Sequence, residues 1–436
     1  MGVDSSPTST PSPTLSAASE NTTTAAYPPW IPPADSYSQY YYSLSHPIEK
    51  YTALWQQTYR PAFRRLFGYD PNISPEGDPT WGRYDLPFSP KEKAIRDDPR
   101  FKYVEGRVYW RKKDGDDVKL GVASAAKVDA NSSEGDGRDS NAWVWYQIWE
   151  SSDASLVQSR NADLVFCHGI NDYGGKFSEH ATPFLLAGYR IILPDLPYHG
   201  RSTGLHAYLR HIDQLPKAVR SVLAHVRKDG DESRRLIIAG ASMGGWTALR
   251  YALRYADKRS EGNSEDGVRP LSGVMLLCPM LGLAKTSRPH IVPEYIGRFL
   301  VYCGFTRFPM FIANRGKSSF DPRIDAEFLA DPQTYSGRLR AGTALGCLEG
   351  MDEVEAMVLS GEAKERLGNM PWRIIHGTSD RVTNWLMSVK LATGAEAEKI
   401  GRLRLYEGYE HVMLRSGDDE ADDEPRQVII RDMVSF

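Results

Sequence analysis

The sequence predicts an α/β fold: a mainly parallel central sheet covered by helices on both faces. Three observations lead there. Short apolar runs of strand length alternate with helical stretches along the later part of the chain, the signature of a parallel sheet with crossover helices. One run, Leu236, Ile237, Ile238 and Ala239, suits a strand buried on both sides. It passes directly into Gly240-Ala241-Ser242-Met243-Gly244-Gly245 and then into helical sequence from Trp246, a strand, sharp turn and helix in succession. The length of 436 residues, with 41% apolar and 25% charged, is ample for one large core with extensions.

Residues 1–26 are rich in Ser, Thr, Pro and Ala, bury too little to offset ordering entropy, and are expected to be disordered. Residues 27–100 form an aromatic-rich extension (Trp30, Tyr37, Tyr40, Tyr41, Trp55, Phe63 and others) expected to pack on the main domain, with 68–100 a linker or an ordered wrap. The main domain is set at 101–436. It opens with two strand-like runs, 103–110 and 143–149, expected to pair antiparallel across a flexible insert at about 114–141. Further strands follow at 164–167, 190–195, 236–239, 273–278, 373–376 and 402–406, with helical stretches including 209–227 and 385–392. The interval 281–370 is too long for a plain connection between two late strands. Its apolar stretch, with Tyr295, Phe299 and Leu300, is expected to form a helical lid lining the substrate site.

Bulk chemistry narrows the function. A net charge of -3, with no basic stripe, argues against nucleic acid as a partner. The four cysteines, Cys167, Cys278, Cys303 and Cys347, fit no metal spacing, and Cys167 and Cys278 sit in buried-strand sequence. Neither a secretory signal nor a run of membrane-spanning length is present, so a cytoplasmic location is expected. The start Met1-Gly2-Val3-Asp4-Ser5-Ser6 fits an N-myristoylation pattern at Gly2. Peripheral membrane contact is therefore an added expectation, through this terminus or the lid.

Strand ends are where chemistry collects in such sheets. The Gly-x-Ser-x-Gly turn holds Ser242 exposed above the sheet, and a serine hydroxyl needs a base and an orienting acid to become nucleophilic. Asp380 follows the 373–376 strand and His411 follows the 402–406 strand, giving the chain order serine, acid, histidine. The backbone N–H groups of Met243, just after the serine, and Ile170, just after the 164–167 strand, are the expected oxyanion donors. His168 is read as structural, His199 as a loop brace, and His206, His211 and His376 as competing histidines. Asp195 is the runner-up acid.

Several segments together resemble the monoacylglycerol lipase group of α/β-hydrolases, the serine aminopeptidase or Hydrolase_4 type. His168-Gly169-Ile170-Asn171-Asp172-Tyr173 is similar to that group's His-Gly-x-Gly-Glu-His turn, and 195–202 resembles its Asp-His-x-Gly-His-Gly-x-Ser loop. The elbow at 240–245 and the segments 371–380 and 406–411 resemble those carrying its serine, acid and histidine. The likeness runs from about Trp143 to the C-terminus, and departs from the pattern at Asn171, Asp172, Tyr173 and Tyr198, which border the pocket. It implies the α/β-hydrolase fold, no cofactor or metal, and a serine ester hydrolase acting on a lipid-like acyl ester, monoacylglycerol being the example. Acyl transfer, amide or peptide hydrolysis on the same triad, and a non-catalytic scaffold or receptor stay open as alternatives.

Overall fold

The computed structural model describes residues 79–110, 142–209, 211–227, 234–255, 270–285, 287–288, 291–307, 318–393 and 401–436. The expectations for the N-myristoylation pattern, the 1–26 tail, the aromatics of 27–78 and the 114–141 insert lie outside these residues.

Eight strands form one sheet in the order β1-β2-β4-β3-β5-β6-β7-β8. β1 (Phe101–Tyr109) and β2 (Trp143–Ser151) pair antiparallel, and β2 runs antiparallel to β4 (Arg190–Pro194). From there β3 (Ala162–Cys167), β5 (Arg235–Ala241), β6 (Gly273–Leu277), β7 (Trp372–Gly377) and β8 (Gly401–Tyr406) are parallel. The antiparallel pair at one edge and the parallel centre match the expectation from sequence.

Burial on both faces explains why the central strands read as continuous apolar runs. Along β5, Leu236 and Ile238 belong to one core layer while Ile237 and Ala239 belong to the other. The first layer is covered by α4 (Gln214–Val226), α5 (Met243–Tyr255) and α10 (Trp385–Ala392), which contribute Val219, Val222, Trp246, Leu249 and Leu391. The second is covered by α3 (Ser178–Leu186), which comes after the short α2 (Ala154–Arg160) in the chain, and by the C-terminal α11 (Glu420–Val434), through Phe184, Leu185, Ile429 and Met433. The first layer's helix α4 begins later than the 209–227 stretch read from sequence, because the 206–209 segment bonds elsewhere. Leu209 N–H donates to Thr343 Oγ1 at 2.8 Å and Tyr208 Oη donates to Thr306 Oγ1 at 3.0 Å.

The interval between β6 and β7 carries α6 (Ile291–Tyr302), α7 (Pro322–Ala330), α8 (Ala341–Ser360) and α9 (Glu362–Leu367). The last two are part of the body. Met351, Val354, Val358, Ala363 and Leu367 join the main core, and Trp246 Nε1 donates to Gly350 O at 2.9 Å. A side chain at position 350 would meet Ile212 Cγ2 at 2.4 Å and Trp246 at 3.0 Å, so glycine lets α8 lie close against them. Within the span 281–370 read as a lid, α8 and α9 therefore pack into the main core, as does Leu281 at its start.

The extension ahead of β1 is an ordered wrap over residues 79–100. α1 (Pro90–Arg96) is capped by Ser89, whose side chain accepts from Glu92 N–H. Trp81 packs with Leu205 and Tyr208. Arg83 is fully buried and donates to three carbonyls of one loop: Gly200 O at 2.6 Å, Ser202 O at 2.6 Å and Gly204 O at 2.8 Å. That loop in turn sends Arg201 to Leu86 O and to Gln333, joining the wrap to the segment after α7. Replacing Arg83 with Met should strand those carbonyls and cost roughly 3–5 kcal/mol, read as a lower urea midpoint.

Candidate active site

The turn after β5 is built by close backbone approach. A Cβ at Gly244 would stand 1.9 Å from Cys167 O, and one at Gly240 would stand 2.3 Å from Gly244 C. Both contacts are with backbone, which cannot give way, so glycine is required at each. Between them Ser242 takes a left-handed φ of 55°, uncommon for a residue with a side chain. The strain is held by the sheet: Ser242 N–H donates to Leu277 O at 3.0 Å, and Ser242 O accepts from Trp246 and Met280 N–H, each at 3.0 Å. The hydroxyl is left pointing off the strand ends.

Two more strand ends meet it. His411 Nε2 lies 3.0 Å from Ser242 Oγ, and His411 Nδ1 lies 2.7 Å from Asp380 Oδ2. The loops after β7 and β8 are fastened together, Ser379 N–H donating to Tyr409 O at 3.0 Å and Thr378 N–H to Tyr406 O at 3.0 Å. Gly377 permits this, since a Cβ there would fall 2.2 Å from Tyr409 O. The structure therefore brings together the serine, acid and histidine predicted from sequence. A hydroxyl bonded to one imidazole nitrogen, with a carboxylate on the other, is an arrangement able to move a proton off the hydroxyl.

The turn after β3 sits against the serine: a Cβ at Gly169 would lie 3.7 Å from Ser242 Cβ. Ile170 and Met243 border this junction. His168 braces the turn: its Nδ1–H donates to Gly169 O at 2.8 Å, and its Nε2 accepts from Leu196 N–H at 2.9 Å. Asn171 holds a φ of 65°, and its carbonyl accepts from Tyr335 N–H at 2.8 Å.

The other candidates lie apart from this proton path. His199 donates to Pro197 O at 2.9 Å within its own loop, His206 is buried with its ring 5.2 Å from that of Tyr335, and His211 is exposed. Asp195 accepts from Gly174 N–H at 2.8 Å and Arg201 N–H at 2.7 Å, so its carboxylate holds loops rather than His411. Tyr295 and Phe299 are 66% and 63% exposed on α6, so they face outward, while Leu300 is half-buried.

The family described as serine aminopeptidase, S33 (Hydrolase_4) matches residues 158–418. The chain belongs to that family. A monoacylglycerol lipase of Mycolicibacterium smegmatis is 26% identical over 282 residues, covering 62% of this chain and 86% of that protein. A caffeoylshikimate esterase of Arabidopsis thaliana is 26% identical over 276 residues, covering 62% of this chain and 75% of that one. Among solved structures, a soluble variant of monoglyceride lipase from Saccharomyces cerevisiae in complex with a substrate analog superposes with a TM-score of 0.50 at 20% identity, covering 69% of this chain and 92% of the other. A thermostable carboxyl esterase from Bacillus coagulans in complex with glycerol gives 0.52 at 16% identity, covering 68% and 93%. The two structures show the α/β-hydrolase fold. The family and these relatives make the chain an α/β-hydrolase of lipase and esterase type.

The site of this S33 family member contains partners that sequence reasoning missed. His376, set aside above as a competing histidine, places Nε2 3.1 Å from Asp380 Oδ2 and Nδ1 2.8 Å from Ser388 Oγ. Thr383 donates to the same Oδ2 at 2.8 Å, while Oδ1 accepts from Val382 N–H at 2.7 Å and Thr383 N–H at 2.9 Å. The signal was local, His376 and Thr383 lying four residues before and three after Asp380. Only the turn geometry reveals that both point at one oxygen. Cys278 was also missed: its Sγ donates to His411 O at 3.1 Å.

Charge follows from these contacts. Burial alone would push the Asp380 carboxyl up, but the bonds from His376 and His411 outweigh it and hold the group well below the ordinary carboxylate range. Burial keeps His376 neutral, against the pull of Asp380. At His411 burial again opposes charge, yet the neighbouring Cys278 sulfur and Asp380 carboxylate prevail and raise its pKa. The His411 ring should accordingly titrate above 6.5 by NMR. Since the charged form is what Asp380 favours, Asp380→Asn should lower that midpoint. A midpoint unmoved by the substitution would contradict the assignment of cause.

Proposed function

We propose that this protein is a serine ester hydrolase that cleaves a lipid-like acyl ester through an acyl-enzyme, with a monoacylglycerol as the substrate to test first. The observation carrying the proposal is the unbroken path from Ser242 Oγ through the His411 ring to Asp380, at 3.0 and 2.7 Å. In this reading His411 Nε2 takes the proton as Ser242 Oγ attacks the ester carbonyl. Asp380 fixes the proton on Nδ1 and stabilises the imidazolium that forms. The Ile170 and Met243 N–H groups receive the charge developing on the carbonyl oxygen; one such donor is typically worth about 3 kcal/mol in the transition state. His411 then hands its proton to the departing alcohol, and water repeats the sequence to release the acid. No metal or organic cofactor has a part.

The relatives named for monoacylglycerol and ester cleavage support the choice of bond. The outward apolar side chains of α6, with Tyr295, Ile296 and Phe299, support the reading of that helix as a lid that meets a lipid aggregate or membrane surface, Leu300 lying on its inner side. Among the described residues no helix is long and apolar enough to cross a membrane. Peripheral contact is the proposal.

Ser242→Ala should reduce hydrolysis of a short p-nitrophenyl ester by about 10⁴-fold or more while the protein stays folded, and should end labelling by a fluorophosphonate probe. Esterase activity surviving that change would sink the mechanism. A folded wild-type protein that takes no label would point instead to a non-catalytic scaffold, and acyl transfer to added alcohol would reveal a transferase. The acid limb of kcat/KM should lie above pH 6.5. The base works only when neutral, and a raised His411 pKa means activity is lost already as pH falls through that higher value.

A further inference from the structure

Three side chains at the site form a ligand set that ester hydrolysis does not use as such. Cys278 Sγ, a carboxylate oxygen of Asp380 and a ring nitrogen of His411 all lie within 4.8 Å of one another. Thiolate, imidazole and carboxylate together match a borderline-soft divalent cation, zinc above all, which binds sulfur at about 2.3 Å and nitrogen or oxygen at about 2.0–2.2 Å. Cys278 is aimed there by its backbone. It follows β6 directly with a left-handed φ of 37°, and its amide is anchored to Ile375 O at 2.7 Å. Thr383 Oγ1, 2.8 Å from Asp380 Oδ2 and 3.4 Å from His411 Nδ1, offers a neutral oxygen beside the set.

We propose that Cys278, Asp380 and His411 form a binding site for zinc, and that zinc held there switches the enzyme off. Binding needs the bond between Asp380 Oδ2 and His411 Nδ1 to open by a small side-chain shift, so that both atoms face the ion. The thiol releases its proton to solvent. The bound imidazole is neutral, its proton on Nε2 because Nδ1 is held by the metal. One proton leaves the protein per ion bound where His411 is already neutral and two where it enters as the imidazolium, and no electron is transferred. An Nε2 that carries a proton donates to Ser242 Oγ and cannot accept from it, so the serine has no base. The inhibitory half of this inference rests on the ester-hydrolase reading, whereas the binding half stands without it.

The test uses the full-length protein in a non-chelating buffer. Zinc chloride is titrated against hydrolysis of a p-nitrophenyl ester, with reversal by EDTA. Cobalt chloride is titrated separately, reading the ultraviolet absorption that arises from sulfur bonded to the metal. Wild type is compared with Cys278→Ala and Cys278→Ser, both checked for folding by circular dichroism, and with Cys303→Ser, which removes the exposed thiol. The expected result is zinc inhibition and a cobalt–sulfur band in wild type and in Cys303→Ser. In both Cys278 variants the band should be absent and zinc affinity at least about tenfold weaker. Ser242→Ala should keep the band. If wild type showed no ester hydrolysis at all, the function above would fall while a Cys278-dependent band would still support the site. Equal zinc inhibition with and without Cys278, or no band depending on it, would overturn the inference.

Discussion

The carboxylate of Asp380 is the point at which the ends of three strands are made to agree. Its two oxygens accept from two backbone amides of their own turn, from Thr383, from His376 at the end of β7 and from His411 beyond β8. Thr383 Oγ1 also lies 3.3 Å from Cys278 O, just past β6. An ionised group is tolerable at this depth only because it is fully supplied with donors. That supply fixes the His411 ring, whose other nitrogen then has one place to look. The precision of the Ser242–His411 contact is therefore inherited from a hydrogen-bonded network, and the serine turn meets it already strained and already pinned to β6.

The surroundings tie the site to parts of the chain far away in sequence. The turn bearing Ile170 is bonded through Asn171 to Tyr335, and Tyr173 Oη donates to Asp331 at 2.9 Å. Glu410, beside His411, accepts from Ser319 Oγ at 2.7 Å and Phe320 N–H at 2.8 Å and pairs with Arg381 at 3.1 Å. The segments flanking α7 thus rest on the very loops that carry the proposed acid, base and oxyanion donors. On the opposite side, Arg201 joins the 79–100 wrap to Gln333.

Much of this was legible because it depends on local rules. Short apolar runs marked the strands, and α10 fell on the residues expected for it, Trp385–Ala392. Ser242, Asp380 and His411 were readable since each follows a recognisable strand and their order along the chain is distinctive. Less legible were features set by contacts between distant segments. The helices α8 and α9 looked like lid sequence until Gly350 and Trp246 placed them in the core. His376 looked like an unrelated histidine, although it shares Asp380 with His411.

By itself the sequence determined the α/β class, the elbow and the candidate serine, acid and histidine, because short apolar runs, glycine-dependent turns and positions just past strand ends are properties of neighbouring residues. Tertiary structure alone decided which carboxylate oxygen each histidine meets, that Cys278 lies against His411, and that a buried Arg83 locks the wrap to the 200–204 loop. Those outcomes depend on hydrogen-bond distances of about 3 Å between groups separated by long stretches of chain, and such distances are fixed only when the whole sheet has closed around them.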